Sequence, residues 1–369
     1  RWSNGTRRLW HGAAAEMVAF GKVIVALAML CSSMTSVSAF RSTIGTRGLS
    51  ITRRSPSIMP STRVVGAGGA QVRMMASAPK LTTPSELLDE VDVFIFDCDG
   101  VIWKGDSLID GVPAILDKLR AAGKKCFFVT NNSTKSRKGY KSKFDGLGLE
   151  VDAEEILSSS FAAAAYLEQT KFKDTGKKVY IIGEVGIKEE LDLVGVPYIG
   201  AEDFKGMEPD MGKVGKVDVD PDVGAVVVGF DRWINYYKIQ YAQLCINEIP
   251  GCQFIATNLD AVTHLTAVQE WAGNNAMVGA IKGCTGQEPT LVGKPSPLMI
   301  DYLEFKYGID KSRCCMVGDR LDTDVLFGVD NGLKSLLVLS GVTSEEKLLS
   351  DENKITPDFY ADSIVDFYP

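Results

Sequence analysis

From about residue 91 onward the chain alternates short, mostly apolar runs with amphipathic stretches. The runs fall at 91–96, 125–129, 179–182, 225–228, 253–257, 290–293, 314–317 and 335–339. Strands with both faces covered by helices read this way, whereas half-exposed strands alternate polar and apolar positions. Between them, residues 112–122 carry Ile115, Leu116 and Leu119 on one helical face, with Gly123 as a stop. Further helices are expected at 135–144, at 153–169, where alanine is frequent, at 297–307 and after Asp324. Thr83-Pro84-Ser85-Glu86 has capping-box spacing with proline at the first helical position, so the folded part is expected to begin near Thr83.

Strands alternating with helices predict an α/β protein built on a doubly wound, Rossmann-like parallel sheet. The stretch 176–288 interrupts that order and contains a Gly/Asp/Lys-rich segment, 200–222, that reads as loop. It is long enough to form an inserted α/β domain of its own. The expected division is therefore a core of 83–175 and 289–369, the insertion 176–288, and an N-terminal extension 1–82 without a fold. No internal repeats are evident.

Charge sets the extension apart. Residues 1–85 carry a balance of +10 with Glu16 as the lone acid, and the remaining 284 residues carry −17. A body this acidic argues against nucleic acid as a partner. Met17 is the expected start. The apolar stretch 23–31 is too short to span a membrane but fits the core of a signal peptide. From Phe40 to Pro79 there is no acid, and Arg, Ser and Thr are frequent, as in a transit peptide. A signal segment followed by a transit segment, with Ala39-Phe40 at the junction, resembles the two-part presequence of algae with secondary plastids. It implies delivery to the plastid stroma and no membrane attachment after processing. Eight cysteines without a Cys-x-x-Cys pair, and two histidines, argue against a zinc cluster. Cys98, between two acids, reads as a buried small residue.

The chemistry lies just past the apolar runs. Asp97-Cys98-Asp99-Gly100 follows the first, Thr130-Asn131-Asn132-Ser133 the second, Gly293-Lys294-Pro295 a later one, and Gly318-Asp319-Arg320-Leu321-Asp322-Thr323-Asp324 another. Groups past the carboxyl ends of parallel strands meet in one crevice. Each motif alone is common in ordinary turns; the four in this order are not. A carboxylate such as Asp97 can attack phosphorus, and a second acid two residues on, Asp99, can protonate the leaving oxygen and then activate water. The Thr130 hydroxyl, the amides of Asn131 and Asn132, and Lys294 can hold phosphoryl oxygens. Asp97, Asp319 and the main-chain carbonyl of Asp99 can bind Mg²⁺, which favours few carboxylates, several waters and a substrate phosphate. Asp324 is expected to hold a metal-bound water, a role that spacing alone also allows Asp322. The Lys294 motif is not a Walker loop, because Glu288 stands where its first glycine belongs and Pro295 follows the lysine.

This order and spacing resemble the haloacid dehalogenase superfamily of phosphatases over about residues 88–369. The large insertion resembles the α/β cap of one branch. Within it, Ala256-Thr257-Asn258-Leu259-Asp260-Ala261-Val262-Thr263-His264-Leu265 and Glu270-Trp271-Ala272-Gly273 are similar to plant and algal phosphoglycolate phosphatases. The resemblance implies Asp97 as nucleophile, Asp99 as proton donor and acceptor, and Asp319 as Mg²⁺ ligand. It also implies a small phosphorylated substrate, 2-phosphoglycolate. Cap-mediated homodimers are common in this group. Asn274-Asn275 departs from the small residues usual there. His264, Trp271 and Asn274 are cap candidates for the substrate carboxylate, and Arg320 is a further one unless it pairs with Asp322 or Asp324. Competing expectations are a broader phosphatase for pyridoxal or aryl phosphates and, from a different class, an inert scaffold of the same fold.

Overall fold

The structure is a computed structural model that describes residues 78–367 apart from 213–214 and 267. The expected signal and transit segments, through residue 77, lie outside the described residues. In chain order the first strands are β1 (Val93–Phe96), the two short strands β2 (Trp103–Lys104) and β3 (Ser107–Leu108), β4 (Lys125–Thr130) and β5 (Ile156–Ser158). The insertion adds β6 (Lys178–Ile182), β7 (Tyr198–Gly200), β8 (Val223–Val228), β9 (Gln253–Ala256), β10 (Val262–Thr266), β11 (Gln269–Ala272) and β12 (Thr290–Leu291). The chain closes with β13 (Cys314–Gly318), β14 (Lys334–Val338) and β15 (Phe359–Ala361).

Six strands form the core sheet in the order β15-β14-β13-β1-β4-β5, and five form the cap sheet in the order β12-β9-β8-β6-β7. Both are wholly parallel. The two-residue period of the strands sorts side chains onto opposite faces. Val93 and Ile95 pack in one apolar cluster, Phe94 and Phe96 in another. The first of these clusters also takes in Ile181, Val227 and Ile255 from the cap sheet. The opposite cap face, with Tyr180, Val226 and Val228, is covered by residues of the helices Tyr236–Glu248 and Asn274–Thr285. Core and cap thus share one continuous apolar layer.

Several expectations need correction. Burial begins by Ala78 and Leu81, and Leu81 bonds to the Tyr360 carbonyl, so packing starts before Thr83. The helix Pro84–Glu90 does start with proline, but Thr83 makes no side-chain cap. The single helix expected at 153–169 is instead a short 3₁₀ turn, the edge strand β5, and a helix Ser159–Gln169 capped by the Ser158 hydroxyl. The strand expected at 290–293 to reopen the core pairs instead with β9, so the cap sheet extends through Leu291. A two-residue strand carries no mark of which sheet it will join. The segment read as loop from 200 opens with β7 and a 3₁₀ turn, Ala201–Phe204. Among the described residues no helix is long and apolar enough to cross a membrane.

Candidate active site

Asp97 follows β1 directly, Thr130 closes β4, and Asp319 follows β13 directly; these strands are neighbours in the order β13-β1-β4. Their carboxyl ends therefore bring the motifs together without any long excursion of the chain. Lys294 enters from the end of β12 and is buried. Its ammonium donates to Asp97 Oδ1 at 2.6 Å, Asp324 Oδ1 at 2.7 Å and the Val129 carbonyl at 2.8 Å, which uses all three of its protons. Asp324 also accepts from the backbone N–H groups of Asp319 and Arg320, at 3.2 and 3.1 Å.

Carboxylate oxygens of Asp97, Asp319 and Asp324 lie within 4.8 Å of one another. Burial, with the Asp324 charge beside it, pushes the Asp319 carboxyl up to about 7. Burial likewise pushes Asp97 well above the ordinary carboxylate range, against the pull of Lys294. Burial also works against the Lys294 cation, but Asp324 and Asp97 override it and hold its pKa above the usual value. One ammonium thus bridges two of three neighbouring buried carboxyl groups. Asp319 Oδ2 accepts from the Val342 N–H at 2.7 Å, while its buried Oδ1 has no hydrogen-bond partner among the described residues. An unpartnered carboxylate oxygen inside a cluster short of positive charge suits a hard divalent cation with oxygen ligands.

The remaining sequence candidates separate cleanly. Asp99 is exposed at the rim, with Oδ1 held by the Trp103 indole at 2.8 Å. Asp322 is paired with Arg320 away from the cluster, so Asp324 is the acid that reaches Lys294. Thr130 is buried, and its hydroxyl accepts from the Asn132 N–H at 3.2 Å. The Asn132 side chain closes a turn onto Thr134. Asn131 is more constrained than expected. Its side-chain oxygen accepts from the Lys294 N–H at 2.8 Å, and its NH₂ donates to the Lys294 carbonyl and to Asp260. The side chain thereby fixes the backbone around Lys294, at its cis bond to Pro295. Cys98 is fully buried, and burial pushes its thiol well up, which leaves it inert.

Among the cap candidates, Asn274 is buried and donates to the carbonyls of Val228 and Asn258 and to the Thr257 hydroxyl, so it braces the cap loop from within. Trp271 is partly exposed on the β10–β11 hairpin, with its indole on Thr266. The His264 side chain lies outside those described. Two contributors escaped the sequence reading. Asp260 reaches from the cap to Asn131 at 3.0 Å and to Arg320 at 3.6 Å. The segment Ser340–Thr343 follows β14, beside β13, and cradles Asp319: Val342 and Thr343 donate to it, and Ser340 ties down the Gly100 carbonyl. A Cβ on Gly341 would lie 1.9 Å from Asp319 Oδ2, so only glycine fits there. Its one sequence signal is position, just past an apolar run.

A doubly wound parallel core with a lysine-bridged acidic cluster at its strand ends, and an α/β cap inserted between the second and third motifs, defines a haloacid dehalogenase-like hydrolase. Residues 94–197 match the family model described as haloacid dehalogenase-like hydrolase, and 291–367 match a second, HAD-hydrolase-like model. The chain belongs to that family. It is 62% identical over 296 residues to the chloroplastic phosphoglycolate phosphatase 1A of Arabidopsis thaliana, covering 80% of this chain and 81% of that one. Phosphoglycolate phosphatase 2 of the same plant is 53% identical, covering 78% of this chain and 97% of the relative. The solved p-nitrophenyl phosphatase of Archaeoglobus fulgidus superposes with a TM-score of 0.63 at 32% identity, covering 75% of this chain and 97% of its own.

Proposed function

We propose that this chain is a Mg²⁺-dependent phosphoric monoester hydrolase that converts 2-phosphoglycolate to glycolate and phosphate in the plastid stroma. Lys294 bridging Asp97 and Asp324 beside the unpartnered Asp319 oxygen carries the chemical part of this reading. The 62% identity to a chloroplastic phosphoglycolate phosphatase carries the substrate and the compartment. The compartment reading also rests on the acid-free, Arg/Ser/Thr-rich segment 40–79.

Phosphate monoesters are among the slowest biological bonds to hydrolyse in water, with rate enhancements by enzymes reaching about 10²¹. Most of that must come from positioning and charge neutralisation. Asp97 attacks phosphorus: its O–P bond forms as the bond to the substrate's alkoxide breaks, and the alkoxide takes a proton from Asp99. Asp99, then a carboxylate, takes a proton from water, whose oxygen attacks phosphorus and restores Asp97. Lys294 holds Asp97 in place and offsets charge on the phosphoryl group, while Thr130 and the backbone beyond β4 receive the non-transferred oxygens. Asp97 and Asp319 would hold Mg²⁺, with Asp324 behind them, and the ion would supply Lewis-acid stabilisation of the charge on the phosphoryl group. The loop Thr257–Asp260 is anchored by Asn274 and reaches Asn131 beside this crevice, a place from which it can limit water.

Three measurements test this. Chelation is expected to abolish turnover and Mg²⁺ to restore it. Mg²⁺ at about one hundred times its Kd is also expected to raise unfolding stability by roughly 2.7 kcal/mol; turnover indifferent to chelation refutes the metal reading. Comparison of kcat/KM is expected to favour 2-phosphoglycolate over pyridoxal phosphate and 4-nitrophenyl phosphate. The reverse order would assign a broader phosphatase, a reading favoured by the p-nitrophenyl phosphatase neighbour. An inert scaffold would release no phosphate from any of the three.

A further inference from the structure

The mechanism leaves unused Trp103, which opens the short strand β2 after the first motif. Trp103 begins a two-stranded hairpin of β2 and β3, with Val101 and Ile102 between it and the Asp97-to-Gly100 motif. Its carbonyl accepts from the Gly100 N–H at 2.7 Å, and it pairs as an isolated bridge with Asp99. The residue is wholly buried, yet it points its one polar atom at the rim, where the indole N–H donates to Asp99 Oδ1 at 2.8 Å. The ring is locked in plane. Tyr140 stacks on it at 6.4 Å and 13°, and Phe144 meets it edge-on at 4.9 Å.

Lys143 completes the arrangement. Its ammonium stands 4.2 Å from the centre of the Trp103 ring and is held there by the Gly105 carbonyl at 2.9 Å. A cation over an indole face draws on the π-density, and the same polarisation makes the N–H a better donor. Asp99 is otherwise exposed, and an exposed carboxylate held by this one hydrogen bond among the described residues depends on it for its orientation.

We propose that Trp103, backed by Lys143, is a positioning residue for the proton donor: the indole N–H grips one oxygen of Asp99 so that the other is presented to the leaving group. This rests on the reading of Asp99 as proton donor given above. Neither residue touches the phosphate. In the first step, the one kcat/KM reports, their contribution is felt only when the leaving oxygen needs a proton; the later activation of water is common to all esters. An alkoxide needs one; a 4-nitrophenolate departs without it.

The test uses that difference. Trp103→Phe keeps an aromatic ring against Tyr140 and Phe144 but removes the N–H. Its kcat/KM is expected to fall roughly tenfold or more further on 2-phosphoglycolate than on 4-nitrophenyl phosphate, within the range over which proton donors act. Lys143→Met, which keeps the stem and removes the charge, is expected to give the same bias at a smaller size. Equal losses on the two esters, or no loss on either, would overturn the proposal and leave Trp103 a packing residue. Asp99→Asn serves as the reference. If it also costs both esters equally, the assignment of Asp99 itself fails. If Asp99→Asn discriminates and Trp103→Phe does not, only the positioning role fails. Should Trp103→Phe not fold, the comparison is read from Lys143→Met, where equal losses again overturn the proposal.

Discussion

Asp97→Asn is expected to lower kcat/KM by roughly 10⁴-fold or more, the scale on which loss of a covalent nucleophile is felt, while leaving the protein folded. The two effects separate because the side chain is nearly isosteric and its surroundings do not favour its charge. Burial raises the Asp97 carboxyl well above its ordinary range despite the nearby lysine. A carboxyl raised in the folded state binds its proton more tightly folded than unfolded. Stability of the metal-free protein therefore falls as pH rises from the unfolded value toward the folded one, and the loss is complete above it. Asparagine carries no such penalty. At neutral pH without Mg²⁺ the variant is expected to melt no lower than the wild type, although it is inactive. A melting point several degrees lower would mean that the Asp97 charge holds the fold together.

Lys294→Met should act on both counts. Methionine fills much of the lysine's volume, so packing changes little and the loss is mainly electrostatic. Three hydrogen bonds vanish together, the Val129 carbonyl loses its partner, and Asp97 and Asp324 are left facing each other without a cation. Removing one partner of a buried ion pair costs about 3–5 kcal/mol. Loss of a fixed charge at the transferring phosphoryl group costs roughly 10²–10³ in kcat, as for other preorganised electrostatic contacts. The stability loss also has a pH signature. Protonating the crowded carboxyls relieves their repulsion, and Asp319 already sits at about 7. The variant should therefore regain stability relative to wild type as pH falls below neutral. Excess Mg²⁺ should restore part of the stability but not the rate. Denaturant midpoints at two pH values check the first point, and turnover at saturating Mg²⁺ checks the second.

Much of this site is legible from residues alone, for a physical reason. Strands buried on both faces read as apolar runs, and in a parallel sheet the working groups sit where such runs end. The ends of β1, β4 and β13 could thus be located before any coordinates. What stayed hidden falls into three kinds. Short strands carry too little pattern: Ile156–Ser158 merges into the alanine-rich helix after it, and Thr290–Leu291 gives no sign that it belongs to the cap sheet. Partners brought in from a distance have no local signature, as with Asp260 reaching Asn131 across 129 positions of chain. The division of labour within a motif is also invisible. Asn131 reads as a phosphate ligand, but its side chain is committed to the Lys294 backbone. Asn274 reads as a substrate contact; its NH₂ braces the cap loop, while its buried Oδ1 has no partner among the described residues. Asp322 and Asp324 are equivalent by spacing, and only the fold shows that Arg320 takes Asp322 while Lys294 takes Asp324.

The central claim is that the Asp97 side chain is phosphorylated to an acyl phosphate during each turnover. Quenching the working enzyme and reducing it with borohydride converts an acyl phosphate to an alcohol, which can be located by peptide mass spectrometry. Homoserine at position 97, formed only when substrate and Mg²⁺ are both present, is the predicted result. An unreduced Asp97 with reduction at another carboxylate, or no reduced residue under full turnover, would contradict the account.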